Sequence, residues 1–102
     1  MLKLHPNCEC CDKDLPPDST EANICSYECT FCSDCVNGIL QNVCPNCGGG
    51  FSPRPIRPKQ EHRPGEGLSH HPASTKRINT KFTLEEIAEF CNSITDQQVV
   101  YL

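Results

Sequence analysis

Nine of the ten cysteines lie between Cys8 and Cys47, and their spacing constrains the fold more than any other feature of the chain. Written out, it is Cys8-x2-Cys11-x13-Cys25-x3-Cys29-x2-Cys32-x2-Cys35-x8-Cys44-x2-Cys47, with Cys10 and Cys91 left over. Two residues between ligands suit a metal knuckle, because the turn brings two sulfurs to about 3.8 Å, the edge of a tetrahedron with ~2.3 Å Zn–S bonds. Eight cysteines taken in pairs supply two closed four-sulfur sites. A closed site leaves no position for water or substrate, so such sites hold a fold together rather than catalyse. A disulfide scaffold would explain the number of cysteines but not the knuckle spacing. A redox pair would require a βαβ setting that is absent.

The rest of the composition says why metal is needed. The chain has 102 residues, 36% of them hydrophobic, with 15 Pro and Gly and no Trp. That is too little apolar material for a large core, and one small domain with tails is the expectation. In the first half the apolar residues reduce to Leu2, Leu4, Leu15, Ile24, Phe31, Val36, Ile39, Leu40 and Val43. Structural zinc contributes an apparent ~10–16 kcal/mol per site, so this half is expected to be unfolded without metal. No apolar run approaches the ~20 residues of a membrane span. Pro6 and Asn7 arrive before a secretory h-region could form, which makes a reducing cytoplasm the expected location and metal the expected use of the thiols.

Charge divides the chain in three. Through Cys47, Lys3 and Lys13 face seven acids, a formal −5; residues 48–82 carry seven bases and two acids, +5; residues 83–102 carry four acids and no base, −4. The domain reading follows: 1–50 a two-zinc module, 51–82 a Pro-rich basic flexible linker, 83–102 an amphipathic helix and tail. Pro53, Pro55 and Pro58 deny the linker a helix or a central strand. Thr83 and Glu86 form a capping box, with Phe82 and Ile87 as a hydrophobic staple. Leu84, Ile87, Ala88, Cys91 and Ile94 then fall on one face, which predicts a helix over 83–94. A second, short helix is expected within Ser33–Val43, where Val36, Ile39, Leu40 and Val43 recur at helical steps around a costly Gly38.

Spacing alone does not decide which four cysteines share an ion. A cross-brace and a sequential arrangement (Cys8, Cys11, Cys25 and Cys29, then the rest) are both open. The order C-x2-C, long gap, C-x3-C-x2-C-x2-C, gap, C-P-x-C resembles a RING finger, with Cys29 where most RINGs carry His. Cys29-Thr30-Phe31-Cys32-Ser33-Asp34-Cys35 and Cys44-Pro45-Asn46-Cys47 carry the likeness. Residues 1 to about 60 also resemble a family of short bacterial cysteine-rich zinc proteins, domain of unknown function 1272. That second likeness rests on Leu4-His5-Pro6-Asn7-Cys8-Glu9-Cys10-Cys11 and Cys44-Pro45-Asn46-Cys47-Gly48-Gly49. The first resemblance implies cross-bracing: Cys8, Cys11, Cys32 and Cys35 on one zinc ion, Cys25, Cys29, Cys44 and Cys47 on the other. The second implies a bacterial source and zinc binding but no known activity.

The fold expected is therefore a small zinc-stabilised α+β module with a RING-like cross-brace. It has treble-clef-type knuckles, a short β-hairpin near Ile24–Phe31 and one short helix, followed by a disordered linker and the C-terminal helix. Cys10 is read as the spare thiol, able to replace Cys11. Cys91 is read as a buried small hydrophobe. His5, His62, His70 and His71 are read as surface residues.

Function is narrowed by elimination. A ubiquitin-ligase RING would present an apolar residue after the first ligand and often a cation after the last; Glu9 and Gly48 stand there. Nucleic acid would have to be held by Arg54, Arg57, Lys59, Arg63, Lys76 and Arg77. The module itself, at about −9 once two ZnS4 centres are counted, repels phosphate. No catalytic constellation stands out. The remaining reading is a non-catalytic zinc-built platform for an unknown protein partner.

Overall fold

The computed structural model describes the backbone of residues 1–100 and the side chains of residues 1–95. At its centre, strand β1 (Ala22–Ile24) and strand β2 (Thr30–Cys32) form the expected hairpin, antiparallel, with Ala22 opposite Cys32, Asn23 opposite Phe31 and Ile24 opposite Thr30. The turn between them is closed by Cys25 N–H donating to the Cys29 carbonyl at 3.2 Å and Glu28 N–H to the Cys25 carbonyl at 3.0 Å. Strand β3 (Ser52–Pro53) adds to the free edge of β1, giving the order β2-β1-β3. Proline is tolerated there because an edge strand need not donate outward. The sheet thus takes its third strand from just past residue 50, which sequence pattern had not indicated.

Helix α1 (Ser33–Gly38) follows β2 without a connecting loop. The short helix expected within Ser33–Val43 ends at the glycine. Ile39 and Leu40 N–H both donate to the Cys35 carbonyl, and Gln41 and Asn42 adopt positive φ of 52° and 61°. The apolar spacing is still satisfied, because the resulting turn buries Leu40 and Val43 as completely as a helix would. These two residues pack with Leu15, Phe31, Val36 and the cysteine sulfurs into one core, and Phe51 meets Phe31 edge-on with ring centroids 5.4 Å apart.

Helix α2 (Leu84–Val100) runs longer than expected; residues 101–102 of the tail lie outside the described residues. Its capping box forms as read: Thr83 N–H donates to Glu86 Oε1 at 3.0 Å and Glu86 N–H to Thr83 Oγ1 at 3.1 Å. The packed face is narrower than the sequence stripe. Ile87 and Cys91 are buried and Ile94 partly so, whereas Leu84 is 62% exposed and Ala88 is exposed too. The helix docks on the last knuckle, where Cys91 Sγ lies 3.6 Å from the Val43 carbonyl and Gln41 donates to Asn92 at 3.0 Å. Gly48 takes a positive φ of 81°, which favours glycine, and lies beside Phe90 and Ile94, which a Cβ there would meet at 3.6 and 3.7 Å, ordinary van der Waals contact. Among the described residues no helix is long and apolar enough to cross a membrane.

Beyond β3, residues 54–82 carry no regular secondary structure, as their Pro content predicts, yet they are tied to the module at many points. Arg54 is buried, with Nη1 donating to the His5 carbonyl at 2.9 Å and Nη2 to the Leu15 and Pro16 carbonyls at 3.3 and 2.9 Å. Arg57 bridges the Leu2 and His71 carbonyls. Arg77 pairs with Asp12 and Asp14 at 3.0 and 2.7 Å. Opposite formal charge of the two segments gives the physical reason: cations of the middle segment are satisfied by acids and carbonyls of the first.

Candidate metal centres

The first knuckle is shaped by backbone. Cys8 N–H donates to the Lys13 carbonyl and Asp12 N–H to the Cys8 carbonyl, both at 2.9 Å, with Asp12 at φ 65°. This tight loop turns Cys8 and Cys11 to the same side. Cys32, the last residue of β2, and Cys35, in the first turn of α1, supply two more sulfurs. The donor atoms of Cys8, Cys11, Cys32 and Cys35 all lie within 4.8 Å of one another. Cys11 and Cys32 are 3.7 Å apart, the edge expected of a tetrahedral tetrathiolate and far longer than a covalent S–S bond of ~2.05 Å. All ten cysteines are free thiols.

The second cluster gathers the hairpin turn and the last knuckle. Cys25, Cys44 and Cys47 lie mutually within 4.8 Å. Backbone again forms the knuckle: Cys44 N–H donates to the Gly49 carbonyl and Gly48 N–H to the Cys44 carbonyl, both at 2.8 Å. Two amides aim at sulfur, Tyr27 N–H at Cys25 Sγ (3.3 Å) and Gly49 N–H at Cys47 Sγ (3.4 Å), an arrangement that stabilises negative sulfur. Cys29 is the exception. It contacts Cys25, but its Sγ does not fall within that distance of all three others and accepts instead from Asn46 Nδ2 at 3.4 Å. The structure therefore assembles four of the predicted sulfurs in the first cluster and three in the second, interleaved along the chain as a cross-brace.

The electrostatics of the bare clusters follow from crowding. Burial pushes the Cys35 thiol well up, helped by Cys32 and the neighbouring sulfurs; burial likewise raises Cys44, with Cys29 and Cys25 adding to it. Cys11 and Cys25 go the other way. Burial opposes ionisation at both, but it is outweighed by hydrogen bonds, from the Lys13 backbone and adjacent sulfurs at Cys11 and from Tyr27 and Cys29 at Cys25. Several sulfurs confined this closely cannot all be anionic unless a cation sits among them. Soft thiolate donors in this number fit a tetrahedral divalent metal, and both clusters could hold one.

Two polar residues that sequence reasoning had not placed at the centres, Glu9 and Asn46, connect them, and a third, Asn7, braces the first. Glu9 is buried, accepting from Thr30 N–H at 2.9 Å and from Asn46 Nδ2 at 3.3 Å. It lies between the first knuckle, β2 and the last knuckle. Asn7, fully buried, donates to Asp12 Oδ1 and the Ile78 carbonyl, each at 2.9 Å, and so fastens the first knuckle to the middle segment. Polar residues inside or beside a knuckle were the only available signal. Cys10 stays outside the four-sulfur cluster as its half-buried neighbour, hydrogen-bonded to Cys35, while Cys11 takes the place within. Cys91 is buried among apolar groups, and burial raises its thiol.

A family model described as "Protein of unknown function (DUF1272)" matches residues 1–57, through the last knuckle and all three strands. The chain belongs to the DUF1272 family. It is also similar to an uncharacterized protein of Rhizobium meliloti (strain 1021), 54% identical over 78 residues, which cover 76% of this chain and 86% of that protein. That alignment is longer than the family match, so the likeness takes in part of the segment beyond residue 57. No solved structure matches.

Proposed function

We propose that this DUF1272 chain is a non-catalytic module that binds two structural zinc ions, Cys8, Cys11, Cys32 and Cys35 holding one and Cys25, Cys29, Cys44 and Cys47 the other. The carrying observation is the set of four sulfurs mutually within 4.8 Å, with an edge of 3.7 Å. Zinc is preferred over iron because closed tetrathiolate sites in a small fold need neither redox chemistry nor an open position. A reducing cytoplasm, where thiols persist, is the compartment this chemistry suits. Native mass spectrometry before and after chelation tests the reading. Two zinc ions per chain are expected, with loss of the compact fold once they are removed. A reduced, metal-free chain that keeps the same cooperative melt overturns it.

A role as a platform for protein contacts is the reading we favour for the module. What supports it is the distribution of charge and apolar surface. Arg54, Arg57 and Arg77, half of the cations that a nucleic-acid role would need, are spent on hydrogen bonds inside the chain. Against ligase-type recognition, the position after the first ligand holds Glu9, buried and hydrogen-bonded rather than apolar and presented. A groove of 380 Å³ lined by Pro45, Phe82, Ile87 and Phe90 offers apolar surface between the last knuckle and α2.

A further inference from the structure

The two clusters differ in one respect that their sequence spacing conceals. In the first, all four sulfurs are mutually within 4.8 Å. In the second only three are, and the fourth, Cys29 Sγ, is held by the side-chain amide of Asn46 at 3.4 Å. Asn46 is itself anchored, its Nδ2 also donating to the buried Glu9 carboxylate at 3.3 Å. The amide thus gives Cys29 Sγ a hydrogen-bond partner that stabilises it as a thiolate apart from the other three sulfurs. On the other side of Asn46 the cluster is open to solvent: Tyr27, Asn46 and Cys47 line a 360 Å³ hollow, with Tyr27 76% exposed and Cys47 exposed, while Cys29 is partly buried.

We propose that the second centre is an exchangeable metal site, in which Cys29 is the leaving ligand and an incoming thiolate takes its place through the Tyr27–Asn46–Cys47 hollow, while the first centre keeps its ion. The inference rests on the two-metal reading above. The exchange is a ligand substitution without change of oxidation state. The metal–sulfur bond to Cys29 breaks and a bond from the incoming sulfur forms. The incoming thiol gives its proton to solvent and enters as a thiolate, and Cys29 leaves as a thiolate that accepts from Asn46 Nδ2, so one anionic sulfur replaces another. Asn46 Nδ2 favours the step by offering the departing sulfur a hydrogen bond, and Glu9 keeps that amide aimed. Cys25, Cys44 and Cys47 hold the ion meanwhile, so the fold survives the exchange. The chemical class that completes the site is a thiolate, soft enough to match the three sulfurs already there.

The test uses the full zinc-loaded chain. After native mass spectrometry has counted two ions, a chromogenic chelator is added and release is followed in time, with and without dithiothreitol as the incoming thiol. Two phases are expected, one ion leaving at least about tenfold faster than the other, the scale on which outer hydrogen bonds alter metal affinity. Only the fast phase should accelerate with dithiothreitol concentration. Asn46→Ala should slow the fast phase, because Cys29 is no longer drawn away. Should that variant fail to load two ions, mass-mapped alkylation of the wild-type holoprotein decides instead: among the eight ligand cysteines, leaving aside the unligated Cys10 and Cys91, Cys29 must be modified first, in step with loss of the first ion. A single release phase, a fast phase blind to dithiothreitol, or first alkylation at Cys11 or Cys8 would sink the inference while leaving two-zinc binding intact. Absence of bound zinc at the outset would instead remove the reading beneath it.

Discussion

Replacing Arg54 by Met should destabilise the zinc-loaded protein by about 3 kcal/mol, far more than a linker substitution ordinarily costs. The figure comes from its contacts. Its guanidinium makes two hydrogen bonds of 2.9 Å, to the His5 and Pro16 carbonyls, and a longer one of 3.3 Å to Leu15. Hydrogen bonds from a charged donor contribute about 1.5–3 kcal/mol each, which puts the two short ones at roughly 3–6 kcal/mol. Part of this is offset in the wild type. Burial lowers the Arg54 pKa, a sign that its charge is poorly solvated, and its Nε has no partner among the described residues. Met relieves that cost while filling the volume, so the lower end of the range is the expectation. About 3 kcal/mol is a shift of roughly two orders of magnitude in the unfolding equilibrium. Urea unfolding followed by far-ultraviolet circular dichroism, at one fixed free zinc concentration, measures it, since zinc binding to the folded state alone would otherwise move the midpoint. Arg54→Lys should recover part of the loss, because an ammonium can reach some of the three carbonyls. A cost of about 0.5 kcal/mol or less for Arg54→Met, the value of an unremarkable surface change, would refute the claim that this residue clamps the N-terminal loop to β3.

Two further outcomes follow from the same structure. The thiols of Cys29, Cys32, Cys35 and Cys44 are all raised, chiefly by burial, so a metal entering the folded clusters must expel protons. Apparent zinc affinity should therefore rise with pH through neutrality, by about tenfold per unit for each proton released, and a pH-independent affinity in chelator competition would contradict it. For any metal-free folded state the sign reverses. Thiols whose folded pKa exceeds the unfolded value of about 8.5 lend stability that is present below that pH and is lost as pH rises above it. Thr83→Ala, which removes the cap at the start of α2, should cost about 1 kcal/mol and speed alkylation of buried Cys91; unchanged alkylation would mean that α2 does not depend on its capping box.

How much of this could be read from the sequence depends on the kind of constraint. The knuckles were legible because metal-ligand spacing is a local property: two residues between sulfurs leave the chain few ways to turn. The capping box was legible for the same reason, since Thr83 and Glu86 meet within one turn. The early end of α1 was half legible. Gly38 signalled weakness, but Leu40 and Val43 satisfy helical periodicity and a buried turn equally well, and the two left-handed residues Gln41 and Asn42 carry no decisive signal. Leu84 and Ala88 match the α2 stripe yet stay exposed, because periodicity shows which residues share a face and not how wide a surface the rest of the fold can offer. Strand β3 and the buried guanidinium of Arg54 were not legible at all. A two-residue edge strand containing Pro53 has no pattern of its own, and an arginine in a Pro-rich stretch reads as solvated until the carbonyls around it are known.

The polar links show why the two centres should behave as one folding unit even if one of them exchanges its ion. Strand β2 carries a sulfur of the first cluster, Cys32, at its end, and the turn before it holds Cys25 of the second, with Cys29 beside it. Glu9, one residue past Cys8, accepts from Thr30 N–H in that strand and from Asn46 in the last knuckle. Each cluster therefore positions backbone that the other needs. A buried carboxylate held by one backbone and one side-chain amide would be costly if either donor moved away, since a charged group left unpaired in the interior loses its solvation with nothing in return. The consequence is directional. Losing the first ion releases Cys8 and Cys32 together, and with them the loop and strand that carry Glu9 and Thr30. Losing Cys29 from the second disturbs only the hairpin turn, because Cys25, Cys44 and Cys47 still converge. A cross-braced module can in this way be rigid at one centre and permissive at the other, although both are built from the same residue type at nearly the same spacing.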